Sequence, residues 1–262
     1  MVALDVSRSP FQELARTTLE SSFGSFRVAA ANANQLILST AAGGSVFDVS
    51  KVELGEISLV DSQYFHSFMT SVRGIDDDGF VLANYGEVFL VRSGSVVDTL
   101  DGIGFDGQRG FLDVGNGRLM LTSPRSSPHF FSIEEAALLP VVRTSVAGSS
   151  GRIAITDRGG FVQIGPSAVA RVSSTEELSI SSLSSFEEPS SRHLEFDRSR
   201  DELFVTGGLG TVVYNVSHPE SPTRVRWLRA CGLSAMTLID ELLVIMVGWC
   251  LMTVSDSRLY DA

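Results

Sequence analysis

ELFVTGGLGTVVYNVSHPESPTRVRWL, residues 202–228, is the stretch that decides the fold of this chain, because it reads as three consecutive β-strands. An apolar run at 203–206 is followed by a glycine turn and by a β-branched run at 211–216, which is typical of strands joined by a tight turn. A polar connector with two prolines then leads to a third run at 224–228. The pattern predicts an antiparallel meander.

Weaker copies of this pattern recur along the chain. Aligned on the strand that precedes the glycine turn, the copies begin at Leu36, Phe80, Leu119, Ile153, Leu203 and Leu242. The successive gaps are 44, 39, 34, 50 and 39 residues. Each copy has about four strand-sized segments, and a unit of four strands repeated every ~40 residues is typical of a β-propeller blade. An irregular β-sandwich also has closely spaced short strands, but it needs no such period.

We therefore predict an all-β fold, a single six-bladed β-propeller of four-stranded antiparallel blades over residues 1–262. The predicted blades are 26–60, 68–100, 110–143, 145–173, 192–228, and 233–262 together with 13–19. In the last of these, 13–19 would supply the outer strand and close the ring. The alternative for this segment is a short helix, because Ser9-Pro10-Phe11-Gln12 is similar to a capping box with proline at the first helical position.

One connection departs from the period. Residues 173–192 are rich in serine and glutamate and add roughly ten residues. Their composition predicts a mobile loop.

The fifth copy carries a recognisable signature. Its glycine turn leads into a strand that ends in Asn215-Val216-Ser217, followed by Pro219-x-x-Pro222. This stretch resembles the LVIVD-type repeat of a class of β-propellers, and the first copy keeps Phe47-Asp48-Val49-Ser50 of the same pattern. The resemblance implies the propeller fold and, since members of that class commonly have no known activity, no particular chemistry.

Charge and hydropathy restrict the partners. The formal net charge of −11 repels phosphate backbones and therefore excludes nucleic acid as a favoured partner. We expect protein partners with basic or apolar patches. No apolar run is long enough to span a membrane, and the first residues do not form a signal peptide, so a soluble, intracellular protein is expected.

Motifs that could carry chemistry are weak. The four histidines, at 66, 129, 193 and 218, are scattered, and no metal site is predicted. Gly102-Ile103-Gly104-Phe105-Asp106-Gly107 matches a dinucleotide fingerprint but precedes a strand instead of a helix, so no cofactor is predicted. Asp76-Asp77-Asp78-Gly79 is interpreted as an acidic hairpin turn and not as a calcium site. Cys231 and Cys250 are expected to stay as thiols, because two strand spacings separate them.

The loops that join second to third strands, and fourth strands to the next blade, should meet on one face. Aromatic and arginine side chains on such loops are typical of interface hot spots. The predicted interaction face consists of Tyr64, Phe65, His66, Tyr85, Phe105, Arg109, Arg125, Arg158 and Trp249.

These observations predict a non-catalytic protein-interaction or scaffold propeller, a subunit of a larger assembly. The alternative is a lactonase-like or other hydrolase with a site in the central funnel, where Asp113, His193 and Glu195 are the candidate residues. A carbohydrate-binding lectin is a third hypothesis, disfavoured because no tryptophan or tyrosine repeats in phase with the copies.

Overall fold

The structure is a computed structural model. It describes residues 2–5, 12–17, 26–32, 34–40, 43–65, 69–77, 79–101, 110–123, 127–143, 149–157, 159–164, 168–173, 182–183, 193–207, 210–218, 221–229, 233–239, 242–247 and 250–255. By its internal contacts the chain divides into two compact units. The first unit comprises Met1–Leu121 and Phe131–Pro140, and the second comprises Thr122–Phe130 and Val141–Ala262.

The strands of the first half form a two-stranded sheet followed by two four-stranded sheets, in which neighbours along the chain pair. The two-stranded sheet contains β1 (Val2–Asp5) and β2 (Gln12–Arg16). The first four-stranded sheet contains β3 (Phe26–Ala31), β4 (Gln35–Thr40), β5 (Gly43–Asp48) and β6 (Ser58–Phe65), with a 3₁₀ turn at Val52–Leu54. The second contains β7 (Ser71–Gly74), β8 (Gly79–Ala83), β9 (Glu87–Arg92) and β10 (Ser95–Asp101).

The remaining strands form four more sheets with the same neighbour-to-neighbour order. The third sheet contains β11 (Phe111–Gly115), β12 (Arg118–Thr122), β13 (His129–Ile133) and β14 (Leu138–Arg143). The fourth contains β15 (Ser149–Thr156), β16 (Gly159–Ile164), β17 (Ala168–Ser173) and β18 (Ser182–Leu183). The fifth contains β19 (His193–Asp197), β20 (Glu202–Gly207), β21 (Gly210–Asn215) and β22 (Thr223–Arg229), and the sixth has three described strands, β23 (Leu233–Ile239), β24 (Leu242–Val247) and β25 (Cys250–Ser255).

The second strand of a sheet lies in the core. Every residue of β8 and of β20 is buried, although side chains on a strand alternate between the two faces of the sheet. Both faces are therefore covered, as the continuous apolar runs in the sequence indicate. In the first unit one core cluster joins Val81 and Leu90 to Leu112 and Leu119, so the second and third sheets pack on one another. In the second unit, Phe161 packs with residues of the fifth sheet in the same way.

Successive sheets are joined most closely along their first strands. In the first unit β7 contacts both β3 and β11, and in the second unit β19 contacts both β15 and β23. The hydroxyl of Thr70 donates to the carbonyl oxygen of Gly110 at 2.8 Å, and the backbone N–H of Leu112 donates to Oγ of Ser71 at 3.3 Å. These bonds fix the stacking of the second sheet against the third.

Three of the outer strands share a β-bulge, which the sequence pattern does not predict. In β10 and β22 a single residue is skipped in the pairing with the third strand, and that residue is Val97 and Val225 respectively. In β6, whose pairing is irregular at a second place as well, Val60 is skipped between Leu59 and Asp61. Each bulge lies opposite the fourth and fifth residues of the adjacent third strand, so it recurs at one position of the repeat. A bulge bends the strand and leaves its side chain directed away from regular pairing. All three valines are exposed.

In the second copy the sequence predicts strands at 70–75, 80–84, 87–92 and 96–100, and in the third copy at 111–114, 119–122, 129–133 and 137–142. The structure confirms each of them to within one residue at either end. Their turns also have the expected conformation. Asn116 and Gly117 both have positive φ, 51° and 66°, as a two-residue hairpin turn requires. Asp76 of the acidic turn forms an ion pair with Arg92.

The strand assignment predicted for the fourth copy is wrong by one strand. Ile153 lies in β15, the first strand of its sheet, whereas the anchors of the other copies lie in second strands. The second strand is β16, whose second residue is Gly160. The gaps from Leu119 to Gly160 and from Gly160 to Leu203 are then 41 and 43 residues. The irregular gaps of 34 and 50 residues came from this one-strand error.

The boundaries of two predicted blades need a related correction. The fourth sheet extends beyond 145–173, because β18 at Ser182–Leu183 pairs with β17 as its outer strand. Residues 173–192, predicted to be a mobile loop, therefore contain part of the repeat. In the first copy the sheet runs past residue 60, since β6 continues to Phe65.

The predicted closing segment has a different partner. Residues 12–16 form a strand, so the helical alternative for 13–19 is wrong. This strand pairs with β1, Ala15 lying opposite Ala3, and belongs to a two-stranded sheet. The expectation that it completes the last blade is therefore wrong for the described residues.

Candidate interaction surfaces

Only part of the predicted interaction face lies in the described residues. Tyr85 is described with its side chain, and Tyr64 and Phe65 belong to the end of β6 instead of the following loop. The other members lie outside the described residues: His66, Phe105, Arg109, Arg125, Arg158 and Trp249. For His66, Phe105, Arg109, Arg125 and Trp249, the common face stays a prediction.

Arg158 does not belong to the set of loops in which it was placed. It stands between β15 and β16, the first and second strands of the fourth sheet. In an up-and-down sheet such links lie at the end opposite the links from second to third strands. The error follows from the strand assignment predicted for the fourth copy, in which Ile153 begins a second strand.

The loop that carries Tyr85 is organised by Asn84. The side-chain carbonyl oxygen of Asn84 accepts hydrogen bonds from the backbone N–H groups of Gly86 and Glu87, at 2.8 and 2.6 Å. Its amide group donates to the Glu87 carboxylate at 2.6 Å. An asparagine that bonds its own backbone in this way stabilises a tight turn. Tyr85 lies at the tip of the turn with 40% of its surface exposed.

The candidate residues for funnel chemistry form side-chain contacts with partners inside their own units. Asp113 on β11 forms an ion pair with Arg73 on β7, with Nε and Oδ1 3.2 Å apart. On β19, Nε2 of His193 lies 3.1 Å from Oε2 of Glu195. The carboxylate fixes the orientation of the imidazole, an arrangement that can serve acid–base chemistry or structure alike. The first contact ties two first strands together, the second lies within one strand, and neither by itself assembles a nucleophile.

A group of exposed aliphatic side chains occurs on the outer strands of the second and third sheets. The backbone N–H of Leu138 donates to Oδ2 of Asp98 at 2.7 Å, which joins β14 to β10. Val96, Val97 and Leu139 lie within two residues of this bond and are 47%, 39% and 48% exposed. We call these three side chains the apolar edge. Large contiguous apolar patches on a protein surface often mark sites of contact with a partner.

Acidic residues flank the apolar edge. Asp101 ends β10 with an exposed side chain, and Glu134 and Glu135 are exposed in the link that leads into β14. An apolar centre with a charged rim is the usual anatomy of a protein interface. The sign of this rim favours a partner surface that carries lysine or arginine around an apolar anchor.

The two outer strands are poorly suited to pairing with a further strand. Val97 forms a bulge in β10, and Pro140 in β14 has no backbone N–H to donate. Bulges and prolines are devices that protect sheet edges from pairing with other chains. A partner at the apolar edge would therefore contact side chains and not extend the sheet.

The signature that resembles the LVIVD-type repeat has a structural role. In Asp48-Val49-Ser50, Oδ1 of Asp48 accepts from the hydroxyl of Ser50 at 2.6 Å and from its N–H at 2.8 Å. Asn215 and Ser217 form the same pair of bonds at 2.6 and 3.2 Å. Each turn ends the third strand of its sheet, so the signature stops the strand and begins the connection to the outer one.

These hydrogen bonds also change the acidity of Asp48. Donation from the Ser50 hydroxyl, and then from the Ser50 backbone, holds the pKa of Asp48 below its ordinary value. The positive charge of Lys51 contributes in the same direction but less.

Within the described ranges, no group of three or more histidine, cysteine, aspartate or glutamate residues could hold a metal ion. Among the helices of the same described part of the chain, none is long and apolar enough to cross a membrane.

Comparison with known proteins shows the fold and no family. No protein-family model matches the chain, and no curated protein sequence matches it. Solved structures do resemble it. A functionally unknown protein from Desulfotomaculum acetoxidans matches with a TM-score of 0.70 and 16% identity, over 94% of this chain and 86% of the other. A protein from Lactobacillus plantarum matches with a TM-score of 0.70 and 12% identity, over 97% and 86%.

Hsv2 from Kluyveromyces lactis is also similar, with a TM-score of 0.62 and 10% identity over 88% of this chain and 73% of that one. At these identities the likeness carries information about the fold alone. The chain is an all-β protein with a propeller-like fold.

Proposed function

We propose that the chain is a six-bladed β-propeller that acts as a non-catalytic protein-binding module and forms part of a larger assembly. Five four-stranded sheets and one sheet with three described strands supply the blades. The structural likeness, which extends over 94% and 97% of the chain in two cases, supports one continuous repeat architecture. Propeller blades present their loops and outer strands to solvent, and both are available for contacts.

The observation that carries the binding function is the apolar edge. Three aliphatic side chains, each between 39% and 48% exposed, lie around a hydrogen bond that holds two sheets together. Because that bond fixes their backbone, little conformational entropy is lost when a partner covers them. The acidic rim and the net charge of −11 favour a partner with a basic border.

The loop end that carries Tyr85 is proposed as a second contact surface. Its turn is rigid, since Asn84 bonds both following residues, and a tyrosine at the tip offers a large contact area with little entropy loss. Tyr64, Phe65, His66, Phe105, Arg109, Arg125 and Trp249 complete this proposed surface.

The test is quantitative affinity capture from the source cell with variants of the full chain. Val97→Asp and Leu139→Asp place a charge in the apolar edge and should reduce recovery of the partner by about tenfold or more, as loss of an interface anchor does. Val225→Asp is the matched control, because Val225 is also an exposed bulge valine but belongs to the fifth sheet.

Equal recovery with all three variants would contradict the proposal. A second measurement, sedimentation of the purified chain, gives its oligomeric state. If the wild type forms a dimer that Leu139→Asp converts to a monomer, the edge binds a second copy and not another protein.

A further inference from the structure

A cavity of about 230 Å³ opens at one end of the fourth and fifth sheets, inside the second unit. This is the end where first strands connect to second strands, since Thr156 ends β15, Asp157 follows it and Asp201 precedes β20. The lining residues are Thr156, Asp157, Phe161, Arg171, Phe196, Asp201, Val216 and Ser217.

The floor of the cavity is apolar. Phe161 and Val216 are buried members of the core cluster that joins the two sheets, and Phe196 packs against the same cluster while half-buried. Two phenylalanine rings therefore line the floor of the cavity in fixed positions. Because the core holds them, the floor is preformed and does not have to order when a ligand enters.

The rim is polar and offers both donors and acceptors. Asp157 and Asp201 accept hydrogen bonds, Arg171 donates them, and the hydroxyl of Thr156 can do either. The hydroxyl of Ser217, whose proton is donated to Asn215, can accept. Its charges are balanced. Nε of Arg198 lies 3.7 Å from Oδ1 of Asp157, so two guanidinium groups stand against two carboxylates.

This combination selects a class of ligand. An ionic ligand gains little from a rim whose charges already cancel, and it would lose its hydration on entry. A neutral ligand that carries hydroxyl groups can donate to the carboxylates and accept from the guanidinium while existing contacts persist. The cavity is smaller than the ~300–1,000 Å³ typical of drug-sized ligands, which limits it to about one ring.

We propose that the cavity binds a single monosaccharide, with the apolar C–H face of the sugar on Phe161 and Phe196 and its hydroxyl groups on the polar rim. The site is independent of the apolar edge, which lies in the first unit. It needs no aromatic residue repeated in phase with the blades, because one gap between two sheets supplies all of its residues.

Saturation-transfer-difference NMR on the full chain tests the proposal, with D-glucose, D-galactose, D-mannose and N-acetyl-D-glucosamine as probes. At least one of them should bind saturably, with a Kd on the order of 1 mM for so small a ligand. Its ring C–H protons should receive more magnetisation than the rest of the sugar, because they face the phenylalanines.

Two variants locate the site. Asp201→Asn preserves the positive φ of 53°, which asparagine tolerates, and should weaken sugar binding about tenfold, as loss of a charge-assisted hydrogen bond does. Thr156→Val removes a hydroxyl without changing the shape of the side chain and should weaken sugar binding several-fold. Asp77→Asn is the matched control, because Asp77 is exposed in the corresponding link of the second sheet, and this variant should bind as the wild type does.

Three outcomes would overturn the proposal. One is the absence of saturable binding by any of the four sugars. Another is sugar binding that neither Asp201→Asn nor Thr156→Val weakens. The third is binding of L-arginine or inorganic phosphate that Asp201→Asn changes, since that would identify the cavity as an ionic site.

Discussion

The carboxylate of Asp98 joins two sheets, because its Oδ2 accepts a hydrogen bond from the backbone N–H of Leu138, 2.7 Å away. The other oxygen, Oδ1, accepts from the N–H of Thr99 at 2.8 Å. One side chain thus fixes both its own strand and the outer strand of the next sheet. The apolar edge owes its geometry to this contact.

Asp98→Ala should lower the free energy of unfolding by about 1–2 kcal/mol, because two backbone donors lose a charged acceptor in a half-buried place. Asp98→Asn, which keeps one carbonyl oxygen, should lower the free energy of unfolding by less than Asp98→Ala does. Urea unfolding followed by tryptophan fluorescence measures both. Equal losses for the two variants would show that the interaction with Leu138 does not depend on an acceptor at this position.

Gly74→Ala should destabilise the protein by about 1–3 kcal/mol, because there is no room for a side chain. A Cβ at this position would lie 2.8 Å from the carbonyl oxygen of Ala31, a backbone atom that cannot move independently of β3. Gly86→Ala is the control, since nothing lies within 4 Å of a Cβ there. Thermal unfolding of both variants checks the prediction, and a Gly74→Ala melting temperature equal to that of the wild type would refute the close approach of β3 and β7.

Glu202 and Arg226 form a buried ion pair in the fifth sheet, with Nη2 and Oε2 2.7 Å apart and side chains 8% and 9% exposed. Glu202→Gln should destabilise the protein by about 3 kcal/mol, because the guanidinium stays buried without this opposing charge. The double variant Glu202→Leu/Arg226→Met should recover much of that loss, since it leaves no buried charge at either position. A double-mutant cycle with Glu202→Leu, Arg226→Met and the double variant measures the coupling energy. Additive losses in the free energy of unfolding would show that the two residues do not interact energetically.

Ser50→Ala should raise the pKa of Asp48 towards its ordinary value, because the hydroxyl is the main cause of the lowered pKa. Since the pKa is lower in the folded chain than in the unfolded one, ionised Asp48 stabilises the fold above its unfolded pKa. That stability is lost as the pH falls through the folded pKa. The variant should therefore lose stability near neutral pH and much less at strongly acidic pH.

Carboxyl ¹³C titration by NMR measures the pKa of Asp48. Lys51→Met is the internal comparison, and it should raise the pKa less than Ser50→Ala does, because the lysine charge is the smaller cause. A larger effect of Lys51→Met would reverse the assigned order of causes.

Local sequence signals identified the strands where the turns are distinctive. In the second and third copies, apolar runs separated by turns such as Asn116-Gly117 fix both the strands and their links, because the turn conformation depends on those residues alone. The buried second strands β8 and β20 were visible for a similar reason. A strand covered on both faces has no polar residue to interrupt its apolar run.

The phase of the fourth copy could not be obtained from local pattern. The run from Ile153 to Ile155 is apolar and is followed by glycines, which is also how the second strands of the first and fifth copies end. Only the pairing of β15 with β16 shows that it comes first. The outer strand Ser182–Leu183 carries no pattern either, since two residues are too few to show alternation.

The apolar edge and the cavity depend on the register of the strands and on the exposure of individual side chains. Val96 and Val97 are visible in the sequence as an apolar pair, but their exposure follows from the place of β10 at the edge of its sheet and from the bulge at Val97. The cavity lining comes from residues between 156 and 217, which adjacent sheets bring together. No spacing in the sequence predicts that set.

Hydrogen–deuterium exchange of the chain, alone and with its captured partner, tests the central claim most directly. If the apolar edge is the binding surface, amides of Ser95–Asp101 and Leu138–Arg143 should exchange more slowly in the complex, because a bound partner covers these strands. The control segment Thr223–Arg229, the outer strand of the fifth sheet, should exchange at an unchanged rate. Protection confined to other parts of the chain, with both edge strands unchanged, would contradict the assignment of this surface.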